Sequence, residues 1–202
     1  MTLRLLTVNG HRFNTHGGVR RLIIPRKGGR FEVVCVRSDG RYAESDSAEL
    51  QSDDIRFALA KVLLGVGGHV VEYVDSDAIV RTLALKGKVC GAKKVRYLPQ
   101  DIPYGCLESA LKVHRSGQVP RTHVHLGWGL HGKDTRGNGA GWSCHTWLTA
   151  PAGLLFTSPR QIVECHAMPG AYLGFDTHYE SDPLGLLAEW AKQLNGGDLN
   201  GR

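Results

Sequence analysis

The sequence predicts an α+β fold with a small, basic, β-rich N-terminal part. Short apolar runs rich in β-branched residues, separated by glycine pairs, fill the first forty residues and are typical of strands joined by turns. A few longer segments space their apolar side chains three and four residues apart, which is typical of amphipathic helices. The hydrophobic content of 42% over 202 residues is that of an ordinary globular protein, and the composition shows no bias towards disorder.

Residues 1–88 are predicted to be the N-terminal part, which contains one helix. Its first strands are the runs "LRLLTV", "VRRLII" and "FEVVCV". The segment "SDDIRFALAKVLLGVGG" predicts the helix, because Ser52 or Asp53 can cap its start and the glycines at its end can stop it. The runs "HVVEYV" and "AIVRTLAL" that follow are predicted to be strands.

Residues 89–195 are predicted to form the second domain, and residues 196–202 a flexible tail. A helix from Cys106 to about His114 is followed by predicted strands at "THVHLGWGL", "WSCHTWLTA" and "GLLFTS", with the glycine-rich loop "HGKDTRGNGAG" after the first. The runs "QIVECHAM" and "AYLGF" predict further strands. The last helix, "DPLGLLAEWAKQL", is capped by Asp182 and has proline at its first position.

The net charge of +6 is concentrated near the N-terminus. From Met1 to Ala43 the chain has nine Lys or Arg residues against two acidic ones, whereas the remaining 159 residues carry 16 basic and 17 acidic side chains. A basic face can bind phosphates or carboxylates, so nucleic acid or an acidic protein is a candidate partner of this segment. The alternative is a solvated surface, because the charges alternate with apolar residues.

The cysteines and the apolar runs favour a cytoplasmic protein. Five cysteines form an odd, sparse set, which favours reduced thiols and a cytoplasmic protein over a disulfide framework. No apolar run approaches the roughly 20 residues of a membrane helix, so we expect no membrane contact. The N-terminal run is also too short for a signal peptide.

Cys106 is the candidate nucleophile. It follows the turn residues "PYG" and opens the predicted helix "CLESALKVH". A thiol is a weak nucleophile until it ionises, and the free N–H groups and dipole of a helix N-terminus favour the thiolate. A nearby imidazole would complete the activation and later deliver a proton to the leaving group. The alternative is that Cys106 is a small packed hydrophobe.

His145 is the candidate base, because it lies on an apolar strand just before a tight hairpin. Thr157 or Ser158 on the returning strand could hold its second ring nitrogen, which is the orienting role in a triad. Gln100 could donate its amide N–H to the oxygen of a tetrahedral intermediate, with the backbone N–H of Cys106 as second donor. The alternative for His145 is a satisfied core histidine. The candidate substrate-binding residues are the tryptophans of these strands, Trp128, Trp142 and Trp147.

This arrangement resembles the papain-like superfamily of cysteine hydrolases. The spacing of Gln and Cys in "QDIPYGCLESA" is similar to that of papain and of the double-glycine peptidases of bacteriocin exporters. The segment "HTWLTAPAGLLFTSP" is similar to the histidine hairpin of bacterial transglutaminase-like proteins. The resemblance covers about residues 95–175.

The resemblance implies a papain-like core, in which a helix with an N-terminal Cys packs on an antiparallel sheet that carries the His. It implies a cysteine peptidase or amidase that acts on a peptide or isopeptide bond and needs no cofactor. Carried over by position, it makes Cys106 the nucleophile, His145 the base and Gln100 the oxyanion donor. The families place Asp or Asn on the strand after the His, where this chain has Thr157 and Ser158.

Two further functional classes fit the sequence. The first is a papain-like scaffold reused as a binding or assembly protein of a phage, virus or toxin system, which the basic N-terminal part and the missing carboxylate favour. The second is a zinc-binding protein, because nitrogen and sulfur ligands suit zinc, although their spacing matches no standard zinc module. Its candidate ligands are His123, His125, His131, Cys144, His145, Cys165 and His166.

Overall fold

The computed structural model describes residues 2–13, 15, 18–91, 95–98, 105–132, 139–153, 159–165 and 169–195. Within these residues the chain forms an α+β fold of four helices and a large sheet, as the sequence predicts. The helices are α1 (Ile55–Val66), α2 (Asp77–Lys86), α3 (Cys106–Ser116) and α4 (Pro183–Leu194). The strands are β1 (Leu3–Leu5), β2 (Thr7–Val8), β3 (His11–Arg12), β4 (Arg20–Pro25), β5 (Phe31–Val36), β6 (Arg41–Ala43), β7 (Ala48–Leu50), β8 (Val70–Glu72), β9 (Lys88–Gly91), β10 (Val95–Tyr97), β11 (His123–His131), β12 (Gly141–Pro151), β13 (Arg160–Glu164) and β14 (Ala171–Asp176).

Twelve of the strands form one sheet. Its main path runs in the order β1-β6-β5-β4-β8-β12-β11-β14-β9, with β7 beside β5, β13 beside β12 and β10 beside β13. The pairs β8–β12 and β10–β13 are parallel, and the other pairs are antiparallel. Strands β2 and β3 form a separate hairpin. The sequence patterns predicted strands in both halves, but they missed the short strands β6, β7, β9 and β10 and did not show that the two halves share one sheet.

Strand β8 joins the two predicted parts of the chain. It pairs with β4 on one side, through Leu22 and Ile23, and with the start of β12 on the other, through Gly141 and Trp142. The sheet therefore continues across the predicted boundary at residue 88. The main core cluster likewise contains residues from Ile23 to Trp190.

Helix α2 corrects one prediction, because the run "AIVRTLAL" is helical and not a strand. The hydroxyl of Ser76 caps the helix by accepting a hydrogen bond from the backbone N–H of Ile79. Ile79, Val80 and Leu83 are buried along one face. That spacing is helical, and it decides the structure over the β-branched composition of the run. Helix α1 is as predicted except that Asp54, not Ser52 or Asp53, is its cap.

The large sheet has a different core on each face around strand β12. Successive side chains of a strand point to opposite faces. Cys144 and Leu148 belong to the main core, in which helices α1 to α4 take part. Trp147 belongs to a small cluster with Ile162 and Tyr172, against which Cys90 and Val95 pack. The candidate base lies on the face that carries the smaller cluster.

Helix α3 packs on strands β11 and β12 through an apolar face that includes Leu107, Ala110 and Val113. It begins after Gly105 and ends at Gly117, which adopts the left-handed conformation (φ 68°) that favours glycine at a helix end. The amphipathic pattern of the sequence predicted this helix correctly. No helix in the described ranges combines the length and the apolar character that crossing a membrane requires.

Several predicted features lie outside the described residues. They are the strand at "GLLFTS" beyond Gly153, most of the glycine-rich loop (residues 133–138), the tail (196–202), Gln100, Thr157, Ser158 and His166.

Candidate active site

Cys106 is the first residue of helix α3, as the sequence predicts. Its side chain is buried, with the residue 7% exposed, and Gly105 immediately precedes it as the capping residue. The N–H groups of the first helical turn have no carbonyl of their own helix to bind. The backbone N–H of Cys106 and the positive end of the helix dipole therefore lie at the thiol.

His145 lies in the middle of strand β12 and is 2% exposed. The register with β11 places Gly127 directly opposite, so no β11 side chain occupies that position. The imidazole is surrounded by rings: Trp147 is stacked at 6.2 Å between centroids, Tyr172 lies at 6.2 Å and His131 meets it edge-on at 5.4 Å. These neighbours fix the orientation of the imidazole and exclude water from it.

Glu164 is the carboxylate partner of His145. It is the last residue of strand β13, it is fully buried, and its Oε1 lies 2.9 Å from Nε2 of His145. The Cys106 side chain also acts on the imidazole, since it is one of the groups that raise the pKa of His145. Because Nε2 faces the carboxylate, Nδ1 is the ring nitrogen left to interact with the thiol. The structure thus brings together a thiol, an imidazole and a carboxylate in the order of a catalytic triad.

The two partners change the charge of the imidazole. Burial by itself lowers the pKa of His145, but hydrogen bonds and charge interactions with Cys106 and Glu164 outweigh it and raise the pKa to about 10. The imidazolium is therefore the stable form at neutral pH. A buried imidazolium requires compensating negative charge, which a carboxylate in contact with it can supply.

Sequence reasoning missed Glu164. The families that the motifs resemble carry their carboxylate soon after the His, so the resemblance directs attention to Thr157 and Ser158 and not to Glu164. A signal was nevertheless present, because Glu164 is a lone acidic residue in the apolar strand "QIVEC", a place where an unpaired charge would be costly. Thr157, Ser158 and Gln100, the predicted orienting residues and oxyanion donor, lie outside the described residues.

The three candidate tryptophans are buried. Trp128 is 2% exposed and its indole N–H donates to the carbonyl of Glu72. Trp142 is 1% exposed and donates to the carbonyls of Leu63 and Gly67. Both belong to the main core, so their place is structural. Trp147 is also buried, but it stacks on His145 and contacts the candidate site directly.

Three of the seven candidate zinc ligands contact other side chains. His123 contacts the Asp176 carboxylate at 2.7 Å, and His125 contacts the Thr149 hydroxyl at 2.9 Å. His145 pairs with Glu164 as described. Within the described part of the chain, no three His, Cys, Asp or Glu side chains are grouped so that they could hold a metal ion.

The basic N-terminal segment is largely neutralised within the fold. Six of its nine Lys and Arg side chains form ion pairs with carboxylates, so its surface charge is smaller than its sequence suggests. The pairs are Arg4–Glu44, Arg20–Glu72, Arg21–Asp75, Arg26–Glu32, Arg30–Glu49 and Arg41–Asp39. Binding of nucleic acid or an acidic partner by this segment stays a prediction.

Comparisons of the chain with protein-family models, with curated proteins and with solved structures found no match. The papain-like resemblance of the motifs stays a prediction.

Proposed function

We propose that the chain is a cysteine hydrolase that cleaves a peptide or isopeptide bond, with Cys106 as nucleophile, His145 as general acid and base, and Glu164 as the residue that orients the imidazole. The observation that carries the proposal is the contact of the buried His145 with the buried Glu164 carboxylate, beside a Cys106 side chain that also raises the pKa of His145. The position of Cys106 at a helix N-terminus and its papain-like sequence context support the same chemistry.

The reaction begins from a thiolate–imidazolium pair. The sulfur of Cys106 bonds to the carbonyl carbon of the substrate, and the carbonyl π electrons move to its oxygen. The backbone N–H of Cys106 is placed to donate to this oxyanion, and Gln100 is the predicted second donor. As the C–N bond breaks, the His145 imidazolium gives its proton to the leaving amine, which departs as a neutral product. A thioester on Cys106 and a neutral imidazole remain.

Water completes the cycle. The neutral His145 takes a proton from a water molecule, whose oxygen attacks the thioester carbon. The C–S bond breaks, the carboxylic acid product leaves, and the thiolate–imidazolium pair is restored. Throughout, Glu164 accepts the Nε2–H hydrogen bond, which keeps Nδ1 directed at the reacting atoms.

Alkylation by iodoacetamide tests the proposal without a known substrate. Cys35 and Cys90 are internal controls, because both are half-buried and thus more exposed than Cys106, and burial raises the pKa of each. We expect Cys106 to be alkylated first at pH 6, measured by mass spectrometry of its peptide. His145→Gln should slow that reaction by about 10²-fold, because less than about 1% of a free thiol with a pKa of about 8.5 is ionised at pH 6.

His114→Gln is the matched control, since His114 lies on the same helix as Cys106 but at its opposite end. It should leave the alkylation of Cys106 unchanged. If Cys35 and Cys90 react before Cys106, or if His145→Gln has no effect, the nucleophile assignment is wrong.

Such a result would instead favour a binding or assembly scaffold without activity. The burial of Cys106 and His145, which are 7% and 2% exposed, is the observation in favour of that second candidate. A reused scaffold keeps the packing of these side chains but has no need for an ionised thiol.

A further inference from the structure

Two buried polar atoms beside the candidate site have no hydrogen-bond partner among the described residues. They are Oε2 of Glu164, whose other oxygen binds His145, and the hydroxyl of Tyr172 on strand β14. Both residues are 0% exposed. Leaving such groups unpaired is costly, because each has lost its water without gaining another partner. The two are not hydrogen-bonded to each other in this structure. The Glu164 carboxylate is nevertheless close enough to the Tyr172 hydroxyl to raise its pKa as an acceptor, so a small side-chain rotation would pair them.

The surroundings place the two groups on the same side of the sheet. Tyr172 packs against Trp147, with ring centroids 5.0 Å apart, and its ring lies 6.2 Å from that of His145. Glu164 contacts the same imidazole. Burial and the neighbouring Glu164 carboxylate raise the pKa of Tyr172 well above its ordinary value. The phenol therefore stays protonated and has a proton to donate.

We propose that Tyr172 is a positioning residue of the candidate active site, whose hydroxyl donates a hydrogen bond to Oε2 of Glu164. This inference rests on the proposed function and adds a fourth residue to Cys106, His145 and Glu164. The donor holds the carboxylate in one rotamer and stabilises its negative charge. The ionised carboxylate stabilises the His145 imidazolium, which in turn stabilises the thiolate of Cys106.

The pH profile of alkylation follows from this chain of contacts. Without the hydroxyl, Oε2 of Glu164 is buried and unpaired, so the carboxylate takes up a proton more readily. A neutral Glu164 no longer supports the imidazolium, and less thiolate forms in acid. Tyr172 should therefore affect Cys106 reactivity below neutral pH, and have little effect near pH 9, where a free thiol ionises without help.

Tyr172→Phe tests the proposal, because it removes only the hydroxyl. The rate of Cys106 alkylation by iodoacetamide is measured from pH 5 to pH 9. We expect it to be about threefold to tenfold slower at pH 6 and nearly unchanged at pH 9, which is the range that one lost hydrogen bond gives. Tyr42→Phe is the control, since Tyr42 is also buried but belongs to a separate core cluster. It should leave the whole profile unchanged.

A double-mutant comparison separates positioning from packing. In a Glu164→Gln background the hydroxyl no longer meets a carboxylate, so adding Tyr172→Phe should slow alkylation at pH 6 by less than twofold. If the hydroxyl only supports packing, its loss should have the same effect in both backgrounds and at both pH values, and the proposal is wrong.

Should Tyr172→Phe fail to fold, 3-fluorotyrosine at position 172 provides a second test. It keeps the shape of the ring but is a stronger donor, so the acid side of the profile should move to lower pH. No movement would overturn the proposal. Failure of the proposed function looks different: Cys106 would then be unreactive, or insensitive to His145→Gln, in the wild-type protein.

Discussion

Nε2 of His145 lies 2.9 Å from Oε1 of Glu164. Neither residue belongs to the paired part of their strands, β12 and β13. Strands β12 and β13 pair only Leu148–Pro151 with Arg160–Val163. The contact between the side chains of His145 and Glu164 therefore forms just beyond the point where the pairing of β12 and β13 stops.

Replacing Glu164 by Gln should lower the pKa of His145 from about 10. Glutamine keeps a hydrogen-bonding oxygen but removes the negative charge, and loss of such a partner typically lowers the pKa by about 1–3 pH units. The measurement is a histidine ring NMR titration of the folded protein. Glu49→Gln, on the exposed part of strand β7, is the control and should leave the His145 titration in place. Identical titrations in both variants would contradict the pairing.

Local patterns predicted much of the fold. The alternation and turn signals gave β4, β5, β11 and β12, and the spacing and caps gave α1, α3 and α4. Helix α2 was missed because its β-branched residues have strand propensity, although the spacing of Ile79, Val80 and Leu83 is helical. The continuation of the sheet through β8 was missed for a related reason, since strand pairing joins residues far apart in the chain.

The candidate site was predicted in part. The position of Cys106 could be predicted because the start of a helix is a local feature. Glu164 could not be recognised by spacing, because its contact with His145 depends on the length of the intervening hairpin and on the register of β12 and β13. Tyr172 lies on a third strand, β14, and its place beside these residues is visible only in the folded chain.

Gly174→Ala should both destabilise the protein and disturb the candidate site. A Cβ atom at Gly174 would overlap the ring of Trp147, and it would meet the carbonyl oxygen of Leu126 at 2.5 Å. Trp147 stacks on His145, so displacement of the indole also moves the base. We expect a loss of about 1–3 kcal/mol in the free energy of unfolding, measured by urea denaturation, and slower alkylation of Cys106.

Gly170→Ala is the matched control for that change. Gly170 lies just before the same strand, but a Cβ atom there would meet nothing closer than 3.8 Å. Its free energy of unfolding should stay within about 0.5 kcal/mol of the wild type. Equal losses in the two variants would mean that contact with Trp147 is not the cause.

Thr146→Val should destabilise the protein without affecting Cys106. Thr146 precedes Trp147 on strand β12 and points to the opposite face, where its hydroxyl accepts a hydrogen bond from the indole N–H of Trp190 at 2.9 Å. Valine has the same shape but leaves that buried N–H unpaired, which costs about 1–3 kcal/mol. Urea denaturation measures the loss, and the alkylation profile of Cys106 should be that of the wild type. A changed profile would show that the two faces of β12 are coupled.

His125 should make the protein less stable in acid. Burial lowers its pKa to about 4, although the nearby Asp176 carboxylate opposes the effect. The unfolded chain binds a proton to this ring below about 6.5, the ordinary value, whereas the folded protein does not until about 4. The contribution of the neutral ring to the free energy of unfolding is therefore fully present above pH 6.5 and is lost as the pH falls towards 4, with a slope of at most about 1.4 kcal/mol per pH unit.

His125→Gln tests this prediction, because it keeps a polar group beside the Thr149 hydroxyl but cannot take up a proton. Urea denaturation between pH 4 and pH 7 should then give a shallower pH dependence for the variant than for the wild type, and parallel curves would show that His125 is not buried in its neutral form.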